Sequence, residues 1–195
     1  MLDAVFERAT EGGLSADGAA SLDATGLESR HISRHFLARS GRMKRYRRYP
    51  KLTILCQNAT HLIAGVSVRA GPCNDSPDLG PVVRQAARRL KIQTLYADAA
   101  YDCEANHRLC REELGIGQTV IPINDRGRPE AIPQGAYRRQ MKQQFPAESF
   151  GQRWQVESVF SQLKRRLGPA LRSRSEQART NECFLRVLTH NLMIL

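Results

Sequence analysis

The spacing of apolar and polar positions divides the chain into strands and helices in a definite order. Residues 1–18 are polar and Gly-rich after a short amphipathic start, and Ala19 to Leu27 reads as a strand. Lys51 to Cys56 and His61 to Val68 are rich in β-branched residues, with Asn58 in the short link between them, which predicts a hairpin. Asn74 to Asp78 supplies cap and first-turn chemistry for a helix that continues through Val82, Val83, Ala86, Ala87 and Leu90. Ile92 to Asp98 is the next strand. A helix follows Tyr101 and Asp102 to about Leu114, closed by Gly115 and Gly117, and Thr119 to Ile123 is a further short strand. Residues 124–147, with Gly127, Pro129, Pro133 and Gly135, read as a loop or small insertion. Helical patterning resumes from about Glu148 to Leu167, with Trp154, Val156, Val159, Phe160 and Leu163 as its core residues, and Gly168-Pro169 stops it. A final amphipathic helix starts near Glu176. This order predicts one α/β domain over 19–195 with a mixed sheet flanked by helices. Residues 1–18 are expected to be the remnant of a preceding segment.

Composition narrows the function classes. Lys and Arg exceed Asp and Glu by 30 to 19, a net charge of +11 on 195 residues. The excess is clustered: no acid lies between Glu28 and Asp75, and Arg45, Arg47 and Arg48 are interleaved with Tyr46 and Tyr49. Lys164, Arg165, Arg166, Arg172 and Arg174 form a second cluster. Cations at this density neutralise phosphates and release counterions, so nucleic acid is the expected partner. No apolar run approaches the length of a bilayer and the N-terminus lacks a signal-peptide pattern, so no membrane role and a cytoplasmic location are expected. Five cysteines at irregular spacing, without Cys-x-x-Cys, read as reduced thiols packed as small apolar residues.

Three acids stand at positions suited to chemistry: Asp23 in the first strand, Asp98 at the end of a later strand, and Glu157 on the 148–167 helix. Divalent magnesium prefers hard oxygen ligands and keeps waters, so a few converging carboxylates suffice to hold it. Each acid also has an ordinary reading, as a cap or as the i,i+4 ion-pair partner of Arg153 in the case of Glu157. On a helix, Arg153, Glu157 and Lys164 share one stripe, an arrangement equally compatible with a phosphodiester site and a surface ion-pair row. Asp102 and Glu104 are rival ligands to Asp98; Asp102 reads better as a helix cap, Asp75 and Asp78 as helix-start residues, and His107 and His190 as structural.

Phe150-x2-Arg153-x3-Glu157-x6-Lys164 resembles the Tyr-Arg-Glu-Lys signature of bacterial insertion-sequence DDE transposases. Tyr96 to Asp102 is similar to that family's segment around its second aspartate, Leu22 to Gly26 to its first, and Arg186 to Met193 to its C-terminal helix. Phe150 departs from the signature Tyr. The resemblance implies a ribonuclease-H-like catalytic domain with Asp23, Asp98 and Glu157 as a catalytic, metal-binding triad for Mg²⁺, with Mn²⁺ as a substitute. It implies metal-dependent cleavage and strand transfer of element ends in double-stranded DNA, by a homo-oligomer associated with the bacterial nucleoid. Arg153, Lys164 and Arg165 would contact DNA phosphates, and Arg45, Arg47 and Arg48 are further candidate contacts. Two other activities fit the same residues: a truncated, non-catalytic DNA-binding regulator, and a ribonuclease-H-like nuclease that cuts without joining.

Overall fold

The computed structural model describes residues 1–14, 18–29, 49–125, 127 and 130–195. The basic residues Arg45, Arg47 and Arg48, with Tyr46, lie outside the described residues. Helix α1 spans Leu2–Glu11 and strand β1 Ala19–Gly26, followed by the two-residue β2, Glu28–Ser29. The expected hairpin is β3 (Tyr49–Gln57) and β4 (Ile63–Gly71), and the helix after it is α2 (Ser76–Ala87). Strand β5 (Thr94–Ala97) leads through a 3-10 turn, Ala99–Tyr101, to α3 (Glu104–Arg108) and a wider π-type turn, Leu109–Glu113. Then come β6 (Gln118–Val120), α4 (Ala136–Gln143), α5 (Ala147–Phe150), a 3-10 turn at Gly151–Arg153, α6 (Trp154–Leu167), β7 (Ala170–Leu171) and α7 (Glu176–Leu192).

The main sheet has the order β4-β3-β1-β5-β6. β1 is antiparallel to β3 and parallel to β5, β3 is antiparallel to β4, and β5 is parallel to β6. A central strand with an antiparallel hairpin on one side and two parallel strands on the other is the mixed sheet expected from the element order and the ribonuclease-H-like arrangement that the resemblance implies. β2 and β7 pair separately as a short parallel ribbon.

Alternation along the strands builds a core on each face of the sheet. On one face Leu22, Leu55 and Leu95 pack with Phe6 of α1 and Leu79, Val82 and Val83 of α2. Residues 1–14 thus contribute a helix, with Val5, Phe6 and Ala9 buried. β4 approaches α2 so closely that a Cβ on Gly65 would stand 2.3 Å from the Val82 carbonyl oxygen, and only glycine fits. On the other face Leu52, Ile54, Ile63 and Val66 pack beneath α6 and α7. α6 buries Val156, Val159, Phe160 and Leu163, an i, i+3, i+4, i+7 stripe. Trp154, expected in this core, is 55% exposed. Two residues before Val156, it lies about 200° around the helix from the stripe.

Candidate active site

The parallel register of β1 and β5 creates the site. Leu22 pairs with Ala97, so the next step along each strand sets Asp23 beside Asp98. In a parallel pair such neighbours point to one face, and Ile54, the cross-strand partner of Asp23 in β3, belongs to the core beneath α6. Both carboxylates therefore face the α6 side. Each has one oxygen fixed by a nearby amide: Asp23 Oδ1 accepts from the Ala24 N–H at 2.8 Å, and Asp98 Oδ1 from the Ala100 N–H at 3.0 Å. Burial raises Asp23 above the ordinary carboxylate range, and the negative charge of Asp98 adds to this. The Ala24 N–H and Arg153 offset only part of the rise.

The turn before α6 supplies the countercharge. Arg153 donates from Nη1 to Asp23 Oδ2 at 3.1 Å and from Nη2 to Glu157 Oε1. The i,i+4 ion pair expected from spacing is present, and the same guanidinium also reaches the sheet. Phe150, which replaces the signature Tyr, presents its ring 5.9 Å from the guanidinium carbon and supports Arg153 without a hydroxyl. Farther along α6, Lys164 Nζ donates to Thr25 Oγ1 at 2.9 Å. Thr25 is two residues from Asp23 and so on the same face of β1. Arg153, Glu157 and Lys164 thus form a stripe laid along β1 over the Asp23 face. Arg165 is exposed in the last turn of α6.

Sequence reading gave no role to Asn58 beyond the hairpin link. It is buried, accepts from Ser21 Oγ at 2.8 Å and donates to the Gln152 carbonyl at 3.4 Å. It ties the backbone immediately before Arg153 to the hairpin and to β1. Only the conformation of the link, invisible in periodicity, identifies this contribution.

The rival acids are committed elsewhere. Asp102 does not cap a helix through its side chain: both oxygens bind Arg138, at 2.9 and 2.8 Å, and Oδ2 also accepts from the Asn124 N–H at 2.8 Å. Glu104 accepts from the Tyr137 and Arg138 N–H groups at the start of α4. Asp78 lies between Lys51 and Arg69, each at 2.9 Å, and Asp75 stands 2.5 Å from the same Lys51; Lys51 and Asp78 are buried. His107 meets Thr119 at 2.7 Å and His190 meets the His61 carbonyl at 3.0 Å, both inside the core. All five cysteines are free thiols; burial pushes Cys56 and Cys110 up to about 12 and Cys183 to about 11, which keeps them protonated.

Among the described residues no three His, Cys, Asp or Glu side chains stand close enough together to share one ion. Asp23 and Asp98 are brought together, whereas Glu157 is linked to Asp23 through Arg153. The donor set fits a hard divalent cation. It consists of carboxylate oxygens alone: the amide-tethered Oδ1 of Asp98 leaves its Oδ2 for a cation, and Asp23 Oδ2 and Glu157 Oε1 are already bridged by the positive Arg153 guanidinium, whose place a cation would take. Among the described residues no helix is long and apolar enough to cross a membrane.

No curated protein matches the sequence. Among solved structures the chain is similar to the catalytic core domain of BIV integrase, at 13% identity and a TM-score of 0.47, covering 89% of this chain and 83% of that one. The model of the transposase DDE domain family matches residues 15–192, almost the whole chain. The chain belongs to the transposase DDE domain family.

Proposed function

We propose that the protein is a DNA transposase that cleaves the ends of an insertion sequence and joins them to target DNA, with Mg²⁺ as cofactor and Mn²⁺ as substitute. The observation that carries this is the placement of Asp23, within β1, beside Asp98, just past the end of β5, with Arg153 linking Asp23 to Glu157. When bound, a divalent ion supplies Lewis-acid stabilisation of the phosphoryl oxygens on which charge develops. Asp98 would hold it through Oδ2, and Asp23 through the Oδ2 that Arg153 now occupies. Glu157, more than half exposed at the mouth of the site, completes the set and orients the nucleophile.

Arg153 exchanges a carboxylate for a phosphate oxygen of the scissile strand, a bidentate geometry that guanidinium suits. Lys164 and Arg165 hold phosphates farther along α6, and Arg45, Arg47 and Arg48 extend the contact. In cleavage, a water oxygen bonds to phosphorus while the bond to the 3′ oxygen breaks, leaving a 3′-hydroxyl and a 5′-phosphate. In joining, that 3′-hydroxyl attacks a target phosphodiester and displaces the target's own 3′ oxygen. One phosphodiester replaces another, so no ATP is needed.

Incubating the protein with duplexes from the DNA flanking its own gene, in Mg²⁺ or EDTA, tests this. We expect Mg²⁺-dependent nicking and strand-transfer products, both lost in Glu157→Ala, with DNA affinity retained. Nicking retained in Glu157→Ala would overturn the site assignment. Binding without nicking in the wild type would mark a DNA-binding regulator, and nicking without joined products a nuclease. Size measurement of the protein on paired ends reports the expected homo-oligomer.

A further inference from the structure

The turn that carries Asp98 is held at its far end by a residue remote in sequence. After β5 the chain passes through Ala99–Tyr101, and the turn closes on itself: the Tyr101 N–H donates to the Asp98 carbonyl at 3.0 Å and the Asp102 N–H to the Ala99 carbonyl at 3.1 Å. Tyr101 is fully buried, and its carbonyl accepts from Asn106 Nδ2 at 2.8 Å. The Asp98 carboxylate braces the front of this turn through the Ala100 N–H. Asp102 ends it, and its carboxylate is 0% exposed.

Almost everything that binds Asp102 comes from beyond β6. Arg138, in the first turn of α4, donates to it from both Nε and Nη2 and also reaches the Asn124 carbonyl at 3.3 Å. His107 Nε2 stands 3.9 Å away. Burial works against the Asp102 charge, but His107, Arg138 and the Asn124 N–H outweigh it and hold the carboxyl below the ordinary range. α4 has a second, separate anchor: Glu104 accepts the N–H groups of Tyr137 and Arg138. Gly135 lets that carboxylate approach, since a Cβ there would stand 2.0 Å from it.

We infer that Arg138 is a positioning residue for Asp98, fixing the Asp98 turn through its paired bonds to Asp102. This rests on the reading of Asp98 as a metal-holding carboxylate. A guanidinium fork gripping both oxygens of a buried carboxylate fixes its orientation as well as its charge. The grip lies four residues from Asp98 along a closed turn, so releasing it frees the Asp98 side chain to rotate away from Asp23. α4, which a reader of the sequence would place in an inert connecting loop, thereby belongs to the machinery that shapes the site.

Titration of the whole chain with Mn²⁺, followed by the electron paramagnetic resonance of the free ion, tests the inference beside thermal unfolding. Arg138→Gln should weaken Mn²⁺ binding by about tenfold or more, the effect typical of lost outer-shell support, and raise the Mg²⁺ needed for half-maximal nicking by a similar factor. Arg138→Lys, which keeps the charge but not the fork, should fall between Arg138→Gln and the wild type. Glu104→Gln loosens the same helix but keeps the Arg138 fork on Asp102, and should lower the Tm while weakening Mn²⁺ binding far less than either Arg138 variant. Wild-type affinity in Arg138→Gln, or equal weakening in Glu104→Gln, would overturn the inference. If Arg138→Gln does not fold, Arg138→Lys against Glu104→Gln gives the same comparison. Asp98→Asn separates the two levels. A wild-type chain whose Mn²⁺ binding does not depend on Asp98 overturns the site reading together with this inference, whereas Asp98-dependent binding indifferent to Arg138 overturns this inference alone.

Discussion

Asp23 and Asp98 stand side by side because the parallel register of β1 and β5 runs through Leu22 and Ala97 and sets both acids one step beyond. Two carboxylates on one sheet face repel, and Asp23 is also largely buried, so its carboxyl titrates above the ordinary value of 3.8. A carboxyl whose folded pKa is raised burdens the fold when ionised. The burden is absent below the unfolded value, grows as pH rises, and is complete above the folded pKa. Asp23→Asn should therefore stabilise the protein at neutral pH by about 1 kcal/mol, as removal of a functional strain commonly does, while abolishing nicking. The gain should vanish below about pH 4, where the wild-type carboxyl is protonated in both states. Chemical denaturation at pH 7 and pH 3 measures the difference; an Asp23→Asn chain less stable at pH 7 would show that the Arg153 pair outweighs burial and repulsion.

Arg153 already acts as a cation at the site, bonded to Asp23 and to Glu157. Arg153→Gln removes a competitor for the carboxylates and a phosphate ligand together. We expect Mn²⁺ to bind more tightly to the free protein while nicking falls by about 10²-fold, the loss seen when one transition-state donor is removed. Arg153→Lys should recover little, because an ammonium cannot span both acids. Tighter metal binding with undiminished nicking would assign Arg153 to the resting state alone.

Much of this was legible in the residues. The 3.6-residue stripe of Val156, Val159, Phe160 and Leu163 and the β-branched runs of the hairpin predicted elements that the structure contains, because periodicity directly reports which face is buried. Arg153 and Glu157 were predicted to pair from spacing alone. The further bond from Arg153 to Asp23 joins residues 130 positions apart, and no local pattern encodes it. α4 was missed because its first turn is stabilised from outside, by Glu104 and Asp102, in a segment whose glycines and prolines signal a loop. Trp154 was misplaced because a large apolar residue next to a buried stripe reads as part of it, although helical geometry turns it outward.

The stripe on α6 also makes a prediction about salt. Lys164 is partly buried over β1 beside Thr25, whereas Arg165 is exposed in the last turn. If each holds one phosphate, Arg165→Ala and Lys164→Ala should each reduce the slope of log affinity against log salt by about 0.9. Lys164→Ala should reduce nicking more than Arg165→Ala, because its ammonium lies on the Asp23 face. Replacing Arg45, Arg47 and Arg48 together tests whether that cluster contributes to the same slope. Affinity measured on specific and unrelated duplexes at several salt concentrations gives these numbers, and an unchanged slope in Arg165→Ala would remove that residue from the interface.

The end of α6 is held by a second ion pair whose pH dependence follows from its geometry. Arg186 donates to the Gly168 and Ala170 carbonyls at 2.6 and 2.7 Å and to Glu182 at 2.8 Å. Gly168 itself adopts φ +87, which lets the chain leave the helix and enter β7. Glu182 also accepts from the Arg172 and Ser173 N–H groups. Burial opposes its charge, but these donors outweigh it and bring the Glu182 carboxyl down to about 2 from 4.5. A lowered carboxyl stabilises the fold above its unfolded pKa, and that contribution is lost as pH falls through its folded value. Glu182→Gln should therefore cost about 1.5–3 kcal/mol at pH 7, in line with bonds to a charged acceptor, and the gap to wild type should close between pH 4.5 and pH 2. Because Ala170 and Leu171 pair with Glu28 and Ser29 just beyond β1, loss of this anchor should also loosen the ribbon that follows Asp23. Faster amide hydrogen exchange at Ser29 and Leu171 in Glu182→Gln, with Asp98-side amides unchanged, would show that the anchor acts on this ribbon and not on the whole sheet.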